Sequence, residues 1–178
     1  MKVIGIDPGT IRTGYGIVQS INGKIKLIAS GIIENKKFDK LPEKLKFIYD
    51  ELSQLIEKYT PDELSIESAF YGKNVQSALK IGHARGVSIL AAVNKRVPTY
   101  EYSPREVKKA VVGNGAASKQ QVMFMVNQIL NLKKRKTQLD ETDAIAVALC
   151  HLQRINKVKK KNRDWKSFIK ENPHLVIG

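Results

Sequence analysis

The stretch Val3–Val18, VIGIDPGTIRTGYGIV, holds two apolar runs with an aspartate, Asp7, at their join, and the reading of that residue decides the fold. An ionised carboxylate next to Ile4 and Ile6 must reach solvent or meet a cation, because burying it unpaired is costly. Asp-Pro-Gly is also turn chemistry: Asp bonds to nearby backbone, Pro presets φ, and Gly accepts positive φ. Local sequence leaves both readings open, a plain turn and a functional acid held at the end of a strand.

Working outward, β-like runs cover Lys2–Ile6, Gly14–Gln19 and Ile25–Ile33, and Asn22-Gly23 between the last two is a hairpin signal. These runs predict a three-stranded antiparallel meander. Leu41, Leu45, Ile48, Leu52, Leu55, Ile56 and Tyr59 then recur at helical spacing, and Thr60-Pro61-Asp62 ends that helix. ELSIE is a short strand closing on Glu67. SAFYGKN is a loop, and a helix is expected from Val75 to Asn94, followed by the strand VPTYEY. Ser103-Pro104-Arg105-Glu106 has the form of a capping box with Pro at the first helical position. After GNGAAS, Ser118 caps a further helix whose buried face is marked by Val122, Met125, Val126 and Ile129. NLKKRKTQ precedes a last helix from Asp140 into the Ile155 region. Hairpin-linked strands first and helix-returned strands later predict an α/β fold, a mixed sheet with helices on its faces.

The 178 residues are expected to form one main domain over residues 1–156, with residues 157–178 as a mobile basic tail. Lys and Arg number 31 against 17 Asp and Glu, a net charge of +14. Residues 151–178 hold eight basic and two acidic residues, which leaves +8 on residues 1–150. A domain this basic fits a polyanionic partner such as nucleic acid. No apolar run is long enough to span a bilayer and the N-terminus has no leader pattern, so no membrane partner is expected. A single cysteine, Cys150, fits a reducing cytoplasm, and the scattered His83, His151 and His174 give no zinc cluster.

Four acids stand out in this basic chain. Asp7 and Glu67 fall where strands give way to loops, along the sheet edge where α/β sites form. Asp140 and Asp143 are three apart, on one face at the start of the last helix. Taken separately, Glu67 is readable as a solvated strand end and the aspartates as helix-capping charge. Brought together, four carboxylates repel one another unless cations sit among them, and oxygen-rich sets favour magnesium or manganese. Glu141 lies between the two aspartates and should point away from them, since adjacent helix positions diverge.

The motifs IGIDPGTIRTGYGIV, SIESAFYGKN, ALKIGHARGV, EYSPREVKKAVVGNGAASKQQV and LDETDAIAVAL resemble, in order over residues 1 to about 155, the RuvC crossover-junction endonucleases. These are bacterial Holliday-junction resolvases of the ribonuclease-H-like superfamily. The resemblance implies catalytic, metal-holding acids at Asp7, Glu67, Asp140 and Asp143, and Mg2+ as cofactor, two ions per site, with Mn2+ able to substitute. It implies a homodimer that nicks opposing strands of four-way junction DNA symmetrically, leaves 5′-phosphate ends and works beside a branch-migration motor. No small-molecule substrate is expected. Phe70 matches an aromatic that disturbs stacking at the crossover, and Lys108 and Lys119 match lysines near the scissile backbone. Arg12, Lys73, Asn74 and Arg85 are further DNA-contact candidates. The small residues of GHARG are also explained by close helix packing.

Three rivals remain at this level. Asp7-Pro8-Gly9-Thr10 also fits the phosphate turn of actin-like ATPases, although 178 residues leave little room for the second domain that fold needs. A non-catalytic nucleic-acid module needs only the basic composition. A related endonuclease with another substrate would carry the same acids.

Overall fold

In the computed structural model, the described residues are 1–68, 75–132 and 138–161, with side chains through Ile155 in the last segment. Strands β1 (Lys2–Asp7), β2 (Arg12–Ile21) and β3 (Lys24–Glu34) form the expected antiparallel meander. At the β2–β3 turn Asn22 and Gly23 take φ of 50° and 77°, the left-handed pair that a two-residue hairpin needs. Helix α1 (Leu41–Tyr59) follows, then β4 (Glu63–Glu67), α2 (Val75–Asn94) and β5 (Thr99–Tyr102). The sheet order is β3-β2-β1-β4-β5, with β1, β4 and β5 parallel. Three helices end the chain: α3 (Pro104–Val112), α4 (Lys119–Ile129) and α5 (Leu139–Lys161). The expected mixed α/β sheet is therefore present, and α5 continues past residue 156.

Strand alternation divides the core in two. Ile4, Ile6, Ile17, Leu64 and Ile66 face Ile48, Leu52 and Ile56 of α1 and Ala84, Ala91 and Ala92 of α2. Val3 and Val18 face the other way, toward Val107 and Val111 of α3, Val122 and Val126 of α4 and the Ile145–Leu149 stretch of α5. Asp7 and Glu67 share the parity of Val3 and so project on the α5 side. Both α3 and α4 start with complete capping boxes, Ser103 with Glu106 and Ser118 with Gln121, which fix the positions of Lys108 and Lys119 downstream.

The α5 side of the sheet is cleared for a helix by glycine. Gly5 pairs with Gly16, and Gly14 pairs with Asp7. A Cβ on Gly5 would lie 2.1 Å from the Ala144 carbonyl oxygen, and one on Gly14 would lie 2.0 Å from that of Asp140. Helix α5 therefore rests backbone-on-backbone against β1 and β2, nearer than any side chain permits. Among the described residues, no helix is long and apolar enough to cross a membrane.

Candidate active site

Asp7 and Glu67 each follow one residue after the Ile6–Ile66 pair of adjacent parallel strands, so their carboxylates lie side by side at the same end of the sheet. Asp143 reaches them from the first turns of α5. These three acids, with Lys108 and Lys119 and the apolar Pro104, Val107 and Val122, line a cavity of about 140 Å³. Three separate stretches of chain thus deliver carboxylates to one small space.

Its electrostatics are strongly uneven. Burial, followed by repulsion from Glu67 and Asp143, pushes the Asp7 carboxyl up to about 7. Burial, with Asp143 next, pushes Glu67 up to about 7 as well, and Lys119 and Lys108 only partly oppose this. Lys119 Nζ lies 2.6 Å from Asp143 Oδ2, and that hydrogen bond raises the lysine above its ordinary value.

Asp140 is held apart. Arg12 Nε lies 3.2 Å from Asp140 Oδ2 and 3.8 Å from Glu34 Oε1, as an ion pair without hydrogen-bond geometry, while the guanidinium also bonds to the Gln138 side chain. The expectation that both aspartates of α5 face one site is thus met by Asp143, and Asp140 is turned toward a basic partner at its border. Arg85, on α2, pairs with Glu101 of β5 and does not line the cavity. Phe70, Lys73 and Asn74 lie outside the described residues, as do the basic stretch 133–136 and residues 162–178. Glu141 points away from the cavity, as expected, toward Ser30 of β3.

Several supporting residues carry no signal in sequence. Thr13, fully buried, donates to the Gly9 carbonyl at 2.7 Å. Asn35, also fully buried, donates through its side chain to the Thr10 carbonyl and through its backbone to that of Ile11. Together they hold the turn that follows Asp7. The one detectable cue was the placement of Gly5, Gly14 and Gly16 around Asp7, which marks a close approach of backbone.

The family sequence model described as Crossover junction endodeoxyribonuclease RuvC matches residues 3–151. The chain belongs to the RuvC family. RuvC of Cytophaga hutchinsonii is 45% identical over 174 residues, covering 98% of this chain and 87% of that relative. RuvC of Saccharophagus degradans is 49% identical over 150 residues, 84% of this chain and 86% of the relative. Among solved structures, T. thermophilus RuvC in complex with Holliday junction substrate superposes with a TM-score of 0.83 at 31% identity, covering 89% of this chain and 96% of that one. The yeast mitochondrial Holliday junction resolvase Ydc2, at 16% identity and a TM-score of 0.63, shares the fold. RuvC chains are metal-dependent nucleases.

The donor set suits a divalent cation. Asp7, Glu67 and Asp143 offer hard oxygen donors, and burial, with repulsion among the acids behind it, pushes Asp7 and Glu67 up to about 7 despite Lys119. Among the described residues no three His, Cys, Asp or Glu side chains already stand at metal-holding spacing. Lys119 sits on Asp143 and Arg12 on Asp140, so each of these carboxylates is paired with a basic group in this structure.

Proposed function

We infer that this chain resolves Holliday junctions in recombination and repair: it is an endonuclease that hydrolyses one phosphodiester in each of two opposing strands of four-way junction DNA. The observation that carries this reading is the buried acidic cavity with Lys108 and Lys119 at its wall in a chain of net charge +14. Asp7, Glu67, Asp140 and Asp143 are the catalytic acids and hold the metal, two Mg2+ ions for which Mn2+ substitutes. When bound, the ions stabilise charge on the attacking and leaving oxygens. A water oxygen joins phosphorus as the bond to the 3′ oxygen breaks, leaving 5′-phosphate and 3′-hydroxyl ends. Lys108 and Lys119 bring phosphate to the cavity as mobile point charges. Phe70 acts as a wedge at the crossover, and Lys73 and Asn74 contact the backbone beside it. Arg12 and Arg85 serve DNA only on leaving Asp140 and Glu101.

The reading includes a homodimer built on α2. That helix buries Ala84, Ser88, Ala91 and Ala92, yet its opposite side presents Leu79, Leu90 and Val93 at 59, 50 and 57% exposure. Gly82 and Gly86 lie on the same stripe with open space above them. A helix that is apolar on both faces needs a second partner, and glycines let another backbone approach closely. A second copy pairing stripe on stripe would set two cavities on opposing strands. Work beside a branch-migration motor in the cytoplasm, where buried Cys150 stays reduced, completes the reading.

The test incubates the protein with an immobile four-way junction and a linear duplex of matched sequence, with and without Mg2+. Paired nicks in the junction alone, dependent on Mg2+ and lost in Asp7→Asn, are expected. Equal cutting of the duplex would instead favour a general nuclease.

A further inference from the structure

Glu141 is a carboxylate with no place in the cavity, yet it is only 6% exposed. Oε1 accepts the Ser30 hydroxyl of β3 at 2.7 Å, and Oε2 accepts the backbone N–H of Gln138 at 3.3 Å. Gln138 is the residue just before α5. Its carbonyl receives the Thr142 N–H and hydroxyl, both at 2.9 Å, and its side chain receives Arg12, whose Nε is 3.2 Å from Asp140. A helix start usually satisfies its free N–H groups with a short side chain at the surface. Here a buried carboxylate reaches back from the third helical position, and it also ties that turn to the edge strand of the sheet.

Successive helical side chains diverge by about 100°. Fixing Glu141 on β3 therefore fixes the rotation of the first turn of α5, and with it the directions of Asp140 and Asp143. Burial of Glu141 between α5 and β3 is the cost of that fixation. We propose that Glu141 is a positioning residue that sets the rotation of the first turn of α5, so that Asp143 is aimed into the acidic cavity for divalent-metal binding while Asp140 stays at its border on Arg12. The inference rests on the reading of Asp143 as metal-holding.

A purely structural glutamate and a positioning one differ in what their variants do to metal affinity. Mn2+ binding to the DNA-free protein, followed by loss of the free-ion EPR signal, is compared with the melting temperature for each variant. Glu141→Ala should weaken Mn2+ binding tenfold to a hundredfold, the usual effect of removing a residue that orients a metal-holding group. Nicking should recover as Mn2+ is raised, with junction affinity in EDTA unchanged. Glu141→Gln keeps an acceptor for the Gln138 N–H and a donor for Ser30 Oγ, and should stay within about threefold of wild type. Ser30→Ala removes the hydroxyl that donates to Glu141 and should shift Mn2+ affinity in the same direction by less, which covers the case in which Glu141→Ala fails to fold. Wild-type Mn2+ affinity in a folded Glu141→Ala or Ser30→Ala, whatever the melting temperature, would overturn the proposal. So would a Glu141→Gln as weak as Glu141→Ala, since charge rather than position would then be at work. Asp143→Asn separates the underlying reading: if it binds Mn2+ like wild type, the metal assignment fails whatever Glu141 does.

Discussion

Lys119 and Asp143 are joined across the cavity, the ammonium 2.6 Å from Oδ2, although they lie on different helices and 24 residues apart. This one cation lowers both Asp7 and Glu67, against burial and mutual repulsion that push each to about 7. Lys119 therefore lowers the pH at which Asp7 and Glu67 become ionised, against the larger effect of burial.

Replacing Lys119 with Met should move the pH dependence of Mn2+ binding upward. Asp7 and Glu67 must lose their protons to hold a cation, and without Lys119 both losses become harder. Wild type should gain affinity as pH rises through about 7, where both carboxyls titrate. Mn2+ titrations across pH 5.5 to 9 check this, and coincident profiles for the two proteins would contradict it.

Asp7→Asn should stabilise the metal-free protein at alkaline pH. Burial pushes the folded carboxyl up to about 7, well above the ordinary aspartate range, so the folded state keeps its proton to higher pH than the unfolded chain. The resulting penalty grows as pH rises from about 4 to about 7 and is constant above that. Urea unfolding in EDTA at pH 8 should favour Asp7→Asn by on the order of 4 kcal/mol, and the gap should close near pH 4. With saturating Mg2+ the ranking should reverse, because only wild type gains binding free energy.

Gly14→Ala should damage fold and site together. Its Cβ would meet the Asp140 carbonyl oxygen at 2.0 Å, a backbone atom that yields only if α5 moves. A loss of about 1–3 kcal/mol in unfolding free energy and weaker Mn2+ binding are expected.

Leu90→Glu should convert a dimer into a monomer without unfolding it. Leu90 is half exposed on the α2 stripe, so the substitution loses little within one chain. Sedimentation should show half the mass, and junctions should be nicked in single strands rather than in pairs. A Leu90→Glu protein that remains dimeric would move the interface elsewhere.

Much of this was legible in the sequence because its signals are local. Asn22-Gly23, the Ser103 capping box and the period of Leu41–Tyr59 each specify their own backbone, and the structure follows them. The acids were legible as strand ends and a helix start, positions that the sheet topology alone brings close. What stayed hidden depends on contacts across the fold. That Arg12 holds Asp140, that Lys119 holds Asp143 and that Asn35 pins the turn after Asp7 are facts of packing, with no periodicity to announce them. Glu141 was readable in direction only, because its partner Ser30 lies 111 residues away in sequence.

Far from the acids, α5 is fastened a second time. His151, 1% exposed, bonds to Glu63 at the start of β4 through one ring nitrogen and to the Tyr102 hydroxyl of β5 at 2.6 Å through the other. With Glu141 on β3 at the front and His151 on β4 and β5 behind, the helix is clamped at two points toward opposite edges of the sheet. Asp143 lies between the clamps, eight residues or about 12 Å of helix ahead of the rear one. Tension applied to the C-terminal end of α5 would be transmitted into the sheet at His151 before it reached Asp143. The helix is thus a braced beam, with Asp143 held between its two attachments.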